Sequence, residues 1–186
     1  MSKIIYELYE KYKNIEYGSK DKKVKVHSHI NEGYVKNFSL QTPEELLKSN
    51  TGNCWETVEL LREELIKLNI PNKTYFFVIP TGKFYSHSII VAEINNKFYW
   101  IELSHKDFKG IKEFNSIKEL MQYILNNFIL ITNEEPYNPK HIKIYDYEKP
   151  KEHIGCVHYY FYCFGQKNIT KNYLPEHLKS IEHKNQ

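Results

Sequence analysis

Two apolar runs separated by a pair of asparagines govern the reading of this chain. Ser86-His87-Ser88-Ile89-Ile90-Val91 and Phe98-Tyr99-Trp100-Ile101-Glu102-Leu103 are rich in β-branched and aromatic residues, and Asn95-Asn96 lies between them. Asparagine tolerates left-handed backbone angles, so a two-residue hairpin loop between Ile94 and Lys97 is expected. That loop length sets a register: Ile94 opposite Lys97, Val91 opposite Trp100, and Ile89 opposite Glu102. In it His87 and Glu102 share one face as diagonal neighbours, at a backbone separation of about 7–8 Å that long side chains bridge. Ser104, directly across from His87, competes for the ring. A one-residue slip would turn Glu102 to the opposite face.

Upstream, helix-start signals cluster. Thr42-Pro43-Glu44-Glu45 offers a cap, a proline at the first helical position and a glutamate three residues after the cap, opening a short helix to about Ser49. Asn50-Thr51-Gly52 breaks it. Asn53 then caps a second helix, with Glu56 at the reciprocal position and Cys54 at its first residue. The unpaired N–H groups and the dipole of a helix N-terminus favour a thiolate over a thiol. Cys54, Val58, Leu61, Leu65 and Leu68 recur at helical spacing, which turns the thiol inward, and Pro71 ends the helix.

The remaining segments read as scaffold. Ile4, Ile5, Leu8, Tyr9 and Tyr12 predict an amphipathic first helix, and Val24 to Ile30 alternate as an edge strand with His27 and His29 on one face. Tyr75–Ile79 is a buried strand before a Pro80-Thr81-Gly82 turn. A capping box at Ser116 opens a helix ending near Asn127, and residues 141–148 alternate as another strand. At 186 residues and 41% hydrophobic, the chain supports one well-buried core. We therefore expect a single domain over 1–186, with its core at about 24–165 and a polar tail at about 171–186.

Charge and cysteine content narrow the functional classes. The net charge is +3, and Arg62 is the sole arginine, although arginine is the usual bidentate reader of phosphate and guanine. Nucleic-acid binding is not favoured. No window reaches the run of about 18 apolar residues that a membrane helix needs, and no signal-peptide core opens the chain, so a cytoplasmic location is expected. Three cysteines, an odd number, argue for reduced thiols. His153, Cys156, His158 and Cys163 fit no tight zinc-ligand spacing, and His27 with His29 lacks a third ligand; no metal or other cofactor is expected. If residues 156–163 are helical, Cys156 and Cys163 share a face and pack in the core.

Acyl transfer by a thiol needs a nucleophile, a proton carrier, an orienting group and donors for the oxyanion. Cys54, His87 and Glu102 are the candidates for the first three. The backbone N–H of Cys54 is one oxyanion donor, and Gln41 is the candidate for the second, with Asn53 and Asn50 behind it. A non-catalytic binding or adaptor domain is the alternative, favoured by the aromatic-rich C-terminal third.

Gly52-x-Cys54-Trp55, the strand led by His87, and Tyr99-Trp100-Ile101-Glu102 together resemble the transglutaminase-like branch of the papain-like cysteine enzymes. The likeness is closer to small bacterial proteins of that type, which carry stretches similar to Leu40-Gln41-Thr42-Pro43-Glu44-Glu45-Leu46 and Trp100-x-Glu102-x-Ser104. It spans about residues 40–125. The resemblance implies an α+β fold with the nucleophile at the start of a central helix, packed on an antiparallel sheet that presents the histidine and acid. It also implies a peptide or protein amide as substrate, through hydrolysis or acyl transfer. Two departures stand out: Glu102 where the superfamily more often has Asp or Asn, and no Asp-Pro-Thr-like sequence at Ile101-Glu102, which argues against protein crosslinking. The superfamily also holds deamidases, arylamine N-acetyltransferases and members without activity.

Overall fold

Side-chain alternation along the central strands gives this protein a sheet with two apolar faces, and the helices sit where those faces need cover. A computed structural model describes residues 2–20, 26–27, 32–79, 85–132 and 141–173. Its helices are α1 (Lys3–Tyr12), α2 (Glu32–Asn37), α3 (Pro43–Ser49), α4 (Cys54–Lys67), α5 (Ile117–Thr132), α6 (Cys156–Phe164) and α7 (Thr170–Tyr173). Its strands are β1 (Glu16–Tyr17), β2 (Ser19–Lys20), β3 (Val26–His27), β4 (Thr51–Gly52), β5 (Asn72–Ile79), β6 (Tyr85–Ile94), β7 (Lys97–Glu102), β8 (Gly110–Phe114), β9 (Lys143–Asp146) and β10 (Lys167–Asn168). The class is α+β: six strands pair antiparallel in the order β10-β9-β5-β6-β7-β8.

Period-two patterning sorts the sheet's residues. Phe76, Val78, Ile90, Ala92, Tyr99 and Ile101 pack with α1, α4 and α6 on one face, whereas Tyr75, Phe77, Ile79, Ile89, Val91 and Trp100 pack with α5 on the other. Each such fully buried apolar side chain contributes about 1.5–3 kcal/mol. The β6–β7 hairpin carries the expected register, with Val91 opposite Trp100 and Ile94 opposite Lys97. Asn95 and Asn96 both adopt left-handed angles (φ 52° and 59°), the conformation that a two-residue loop between twisted strands requires. Ladder pairing stops at Val91–Trp100, short of the expected Ile89–Glu102 pair.

α4 is buried on nearly every side from Trp55 to Leu61, not along a single stripe, because the sheet, α3 and α6 surround it. Leu68, expected inward, is its C-cap and is 42% exposed, since the helix ends before that turn reaches the core. α5 runs to Thr132, past the expected end near Asn127; no glycine or proline interrupts it. Of the edge strand expected over 24–30, Val26 and His27 are described and form β3, paired with β2; the rest of that stretch, His29 included, and the Pro80-Thr81-Gly82 turn lie outside the described residues. Residues 141–148 contribute the shorter β9, and the expected polar tail begins with the single turn α7 before leaving the described residues at 174. Among the described residues no helix is long and apolar enough to cross a membrane.

Candidate active site

α3 and α4 meet at a tight turn whose geometry follows from three residues. Asn50 caps α3 in the left-handed region (φ 49°), and β4 continues directly into the N-cap of α4. Gly52 leaves the turn room to close: a Cβ would stand 2.5 Å from Leu46 Cδ1 and 3.2 Å from Glu56 Oε2, so a larger residue would displace buried Leu46. Asn53 Oδ1 accepts from the N–H of Trp55 at 2.8 Å and of Glu56 at 3.4 Å, and Glu56 Oε2 accepts from Asn53 N–H at 2.9 Å. Cys54 is thereby held as the first residue of α4, half-buried, while Cys156 and Cys163 are buried with Tyr159 on the inner face of α6. Trp55 anchors the turn from behind, stacked on Tyr159 with ring centroids 4.2 Å apart.

His87 and Glu102 lie beyond the last β6–β7 ladder pair, and there their side chains meet: His87 Nε2 donates to Glu102 Oε2 at 2.8 Å. Ser104, expected across from the ring, instead joins the carboxylate. Its N–H and hydroxyl donate to Glu102 Oε1 at 2.8 and 2.7 Å, and His105 N–H does so at 3.0 Å. Both members are buried, at 4% and 3% exposure. Burial by itself would lower the His87 pKa. The Glu102 charge, with hydrogen bonding to Cys54 and Glu102, outweighs it and lifts the imidazole well above its ordinary range. Burial likewise raises the Glu102 carboxyl, but the His87 charge and the bonds from His87, Ser104 and His105 hold it below the usual carboxylate range. The result is a buried imidazolium–carboxylate pair with the Cys54 side chain interacting with the ring. The orienting bond occupies Nε2, so Nδ1 is the ring nitrogen left for the sulfur.

The two side chains expected as oxyanion donors point elsewhere. Gln41 Nε2 donates to Thr51 O at 2.9 Å and to Glu56 Oε1 at 3.0 Å, and Asn53 Nδ2 donates to Ser19 Oγ and Tyr34 OH, each at 3.0 Å. Each amide has two hydrogens, and both are engaged. Asn50 directs its amide to Asn14 O at 3.3 Å. Glu56 explains the arrangement. Its buried carboxylate collects Asn53 N–H, Gln41 N–H and Gln41 Nε2, so Gln41 ties the approach to α3 onto the cap of α4. Burial pushes the Glu56 pKa up to about 7 against those donors. Sequence patterning marks Glu56 only as a capping partner; a glutamine fifteen residues upstream carries no local signal.

Among the described residues no group of three or more His, Cys, Asp or Glu is placed to hold an ion. Arg62 is also unavailable to an outside phosphate: it pairs with Glu59 at 2.9 Å, donates to Thr74 Oγ1 at 2.6 Å, and lies over the Tyr147 ring. No protein-family model matches the chain, and no curated protein matches it.

Proposed function

We propose that this protein is a thiol hydrolase or acyltransferase of the transglutaminase-like, papain-like type, acting on a peptide or protein amide through an acyl-enzyme. One observation carries the reading: a half-buried cysteine at a helix N-terminus acts on a buried histidine whose ring is held by a carboxylate at 2.8 Å. In this reading the Cys54 thiolate attacks the carbonyl carbon, and the C=O π pair moves onto oxygen, facing the Cys54 backbone N–H. His87 then gives its proton to the leaving amine as the C–N bond breaks, producing a thioester. Water or an acceptor amine attacks that thioester, His87 takes the proton back, and Glu102 keeps the ring in one orientation throughout. Three free cysteines fit a reducing, cytoplasmic setting.

Iodoacetamide labelling at pH 6–8 tests the nucleophile. Cys54 is expected to alkylate faster than a free model thiol and ahead of buried Cys156 and Cys163, with His87→Ala slowing it by about 10-fold or more. Equal rates for Cys54 and the model thiol, unaffected by His87→Ala, would remove the reading. A silent binding domain is the second reading, favoured by Val157 and Phe161, which are 46% and 68% exposed on α6. It expects no rate difference in the same assay.

A further inference from the structure

The sheet face that α5 covers extends past the helix that covers it. Strand register sets Lys73 opposite Val91 and Glu93 opposite Phe98, and Val91 lies on the α5 face, so side-chain alternation puts Lys73, Tyr75, Glu93 and Phe98 there too. At the start of α5 that face opens into a cavity of about 240 Å³. Tyr75, Val91 and Phe98 of the sheet, Ile117 of α5 and Tyr173 of α7 wall it, and the exposed Glu93 stands at its rim. His87 lies six residues back along β6 from Glu93, about 20 Å of strand, so this cavity is separate from the Cys54 site.

Among the described residues, two polar groups lining the cavity have no partner. Tyr75 is 3% exposed, yet its hydroxyl makes no hydrogen bond there, although buried side-chain polar groups are normally bonded. Nor is that oxygen sealed in as the Trp55 and Trp100 N–H groups are, so it opens onto the cavity that Tyr75 lines. Burial pushes the phenol above its usual range, and it stays a donor at neutral pH. Glu93 is the second group. Its diagonal neighbour Lys73 is drawn instead to Asp146 at 3.7 Å, which leaves the Glu93 carboxylate as the uncompensated charge at the rim. Size narrows the occupant further. An apolar cavity of about 150 Å³ takes benzene, whereas drug-sized ligands occupy about 300 Å³ or more. A volume of about 240 Å³ suits one aromatic ring with a short chain.

We propose that this cavity binds a small monocyclic arylalkyl ammonium, its ring between Phe98 and Tyr173, its cation at Glu93, and an oxygen on the ring accepting from the Tyr75 hydroxyl. Aromatic walls receive the ring by offset or edge contacts and attract the cation to their faces. Glu93 repels an anion of the same shape. The site stands independently of the acyl-enzyme reading, since none of its residues touches Cys54, His87 or Glu102.

Tyramine is the probe, titrated into the full chain by isothermal calorimetry, and saturable one-to-one binding is expected. Phenethylamine lacks the ring oxygen and is expected to bind about 5-fold more weakly. 3-(4-Hydroxyphenyl)propionate carries a carboxylate in place of the ammonium and is expected to bind at least about 10-fold more weakly. Tyr75→Phe removes only an oxygen and is expected to abolish the preference for tyramine over phenethylamine. Glu93→Gln, at an exposed position that leaves the core intact, is expected to weaken tyramine by about 5-fold. No saturable tyramine binding, equal binding of tyramine and the propionate, or tyramine affinity unchanged by Glu93→Gln overturns the site. A tyramine preference that survives Tyr75→Phe overturns the role given to that hydroxyl.

Discussion

α3 and α4 begin with the same local device in opposite surroundings. At α3, Thr42 Oγ1 accepts from Glu45 N–H at 3.2 Å and Glu45 Oε2 accepts from Thr42 N–H at 2.9 Å, at the exposed surface. At α4, Asn53 and Glu56 exchange equivalent bonds at 6% and 1% exposure, and the same two side chains also engage Ser19, Tyr34 and Gln41. Water replaces any bond lost from the first box. Nothing replaces a bond lost from the second. Burial turns a routine helix start into the bracket that holds Cys54, Gln41 and β4 in one geometry.

The largest break in that comparison is Glu56→Ala. It strands Asn53 N–H, Gln41 N–H and Gln41 Nε2 without an acceptor, and urea unfolding is expected to register a loss of about 3 kcal/mol or more. A loss under about 1 kcal/mol would mean the buried box behaves like the exposed one.

Acidity sharpens the contrast next. Burial raises the folded-state pKa of Glu56 from 4.5 to about 7, so its contribution to stability is fully present below about 4.5 and is lost as pH rises through about 7. The rise corresponds to about 3 kcal/mol at most. Wild type is therefore expected to lose stability across this window, and Glu56→Gln to show a flatter profile. The raised His87 pKa adds a loss in the same direction from about pH 6.5 upward. It is common to both proteins and cancels in their difference.

The smallest effects come from the caps themselves. Asn53→Ala is expected to cost about 2 kcal/mol, because it removes the one acceptor that serves two N-terminal N–H groups together with two buried donor bonds, and Thr42→Ala about 1 kcal/mol. Equal losses in parallel urea titrations would dissolve the distinction.

What the sequence makes legible here is local chemistry repeated along the chain. Asn95-Asn96 forces a left-handed loop, the loop sets Val91 against Trp100, and the parity of strand residues carries His87 toward Glu102. Both capping boxes are likewise readable from residues three apart. Illegible features depend on distant encounters. Gln41 looks like a free amide until Glu56 and Thr51 arrive beside it, and the two-residue parallel pairing of Tyr17 with Gly52 has no periodicity to announce it. Leu68 keeps the helical spacing of the core stripe yet falls outside it, because spacing does not say where the helix stops.

Arg62 has a practical consequence. The chain's sole guanidinium lies 7% exposed in the middle of α4, tied to Glu59 and Thr74. An arginine-specific endoprotease therefore has one scissile position in the entire polypeptide, sequestered until α4 comes loose. The appearance of its two fragments times the opening of the helix that carries the sulfur, with no label attached.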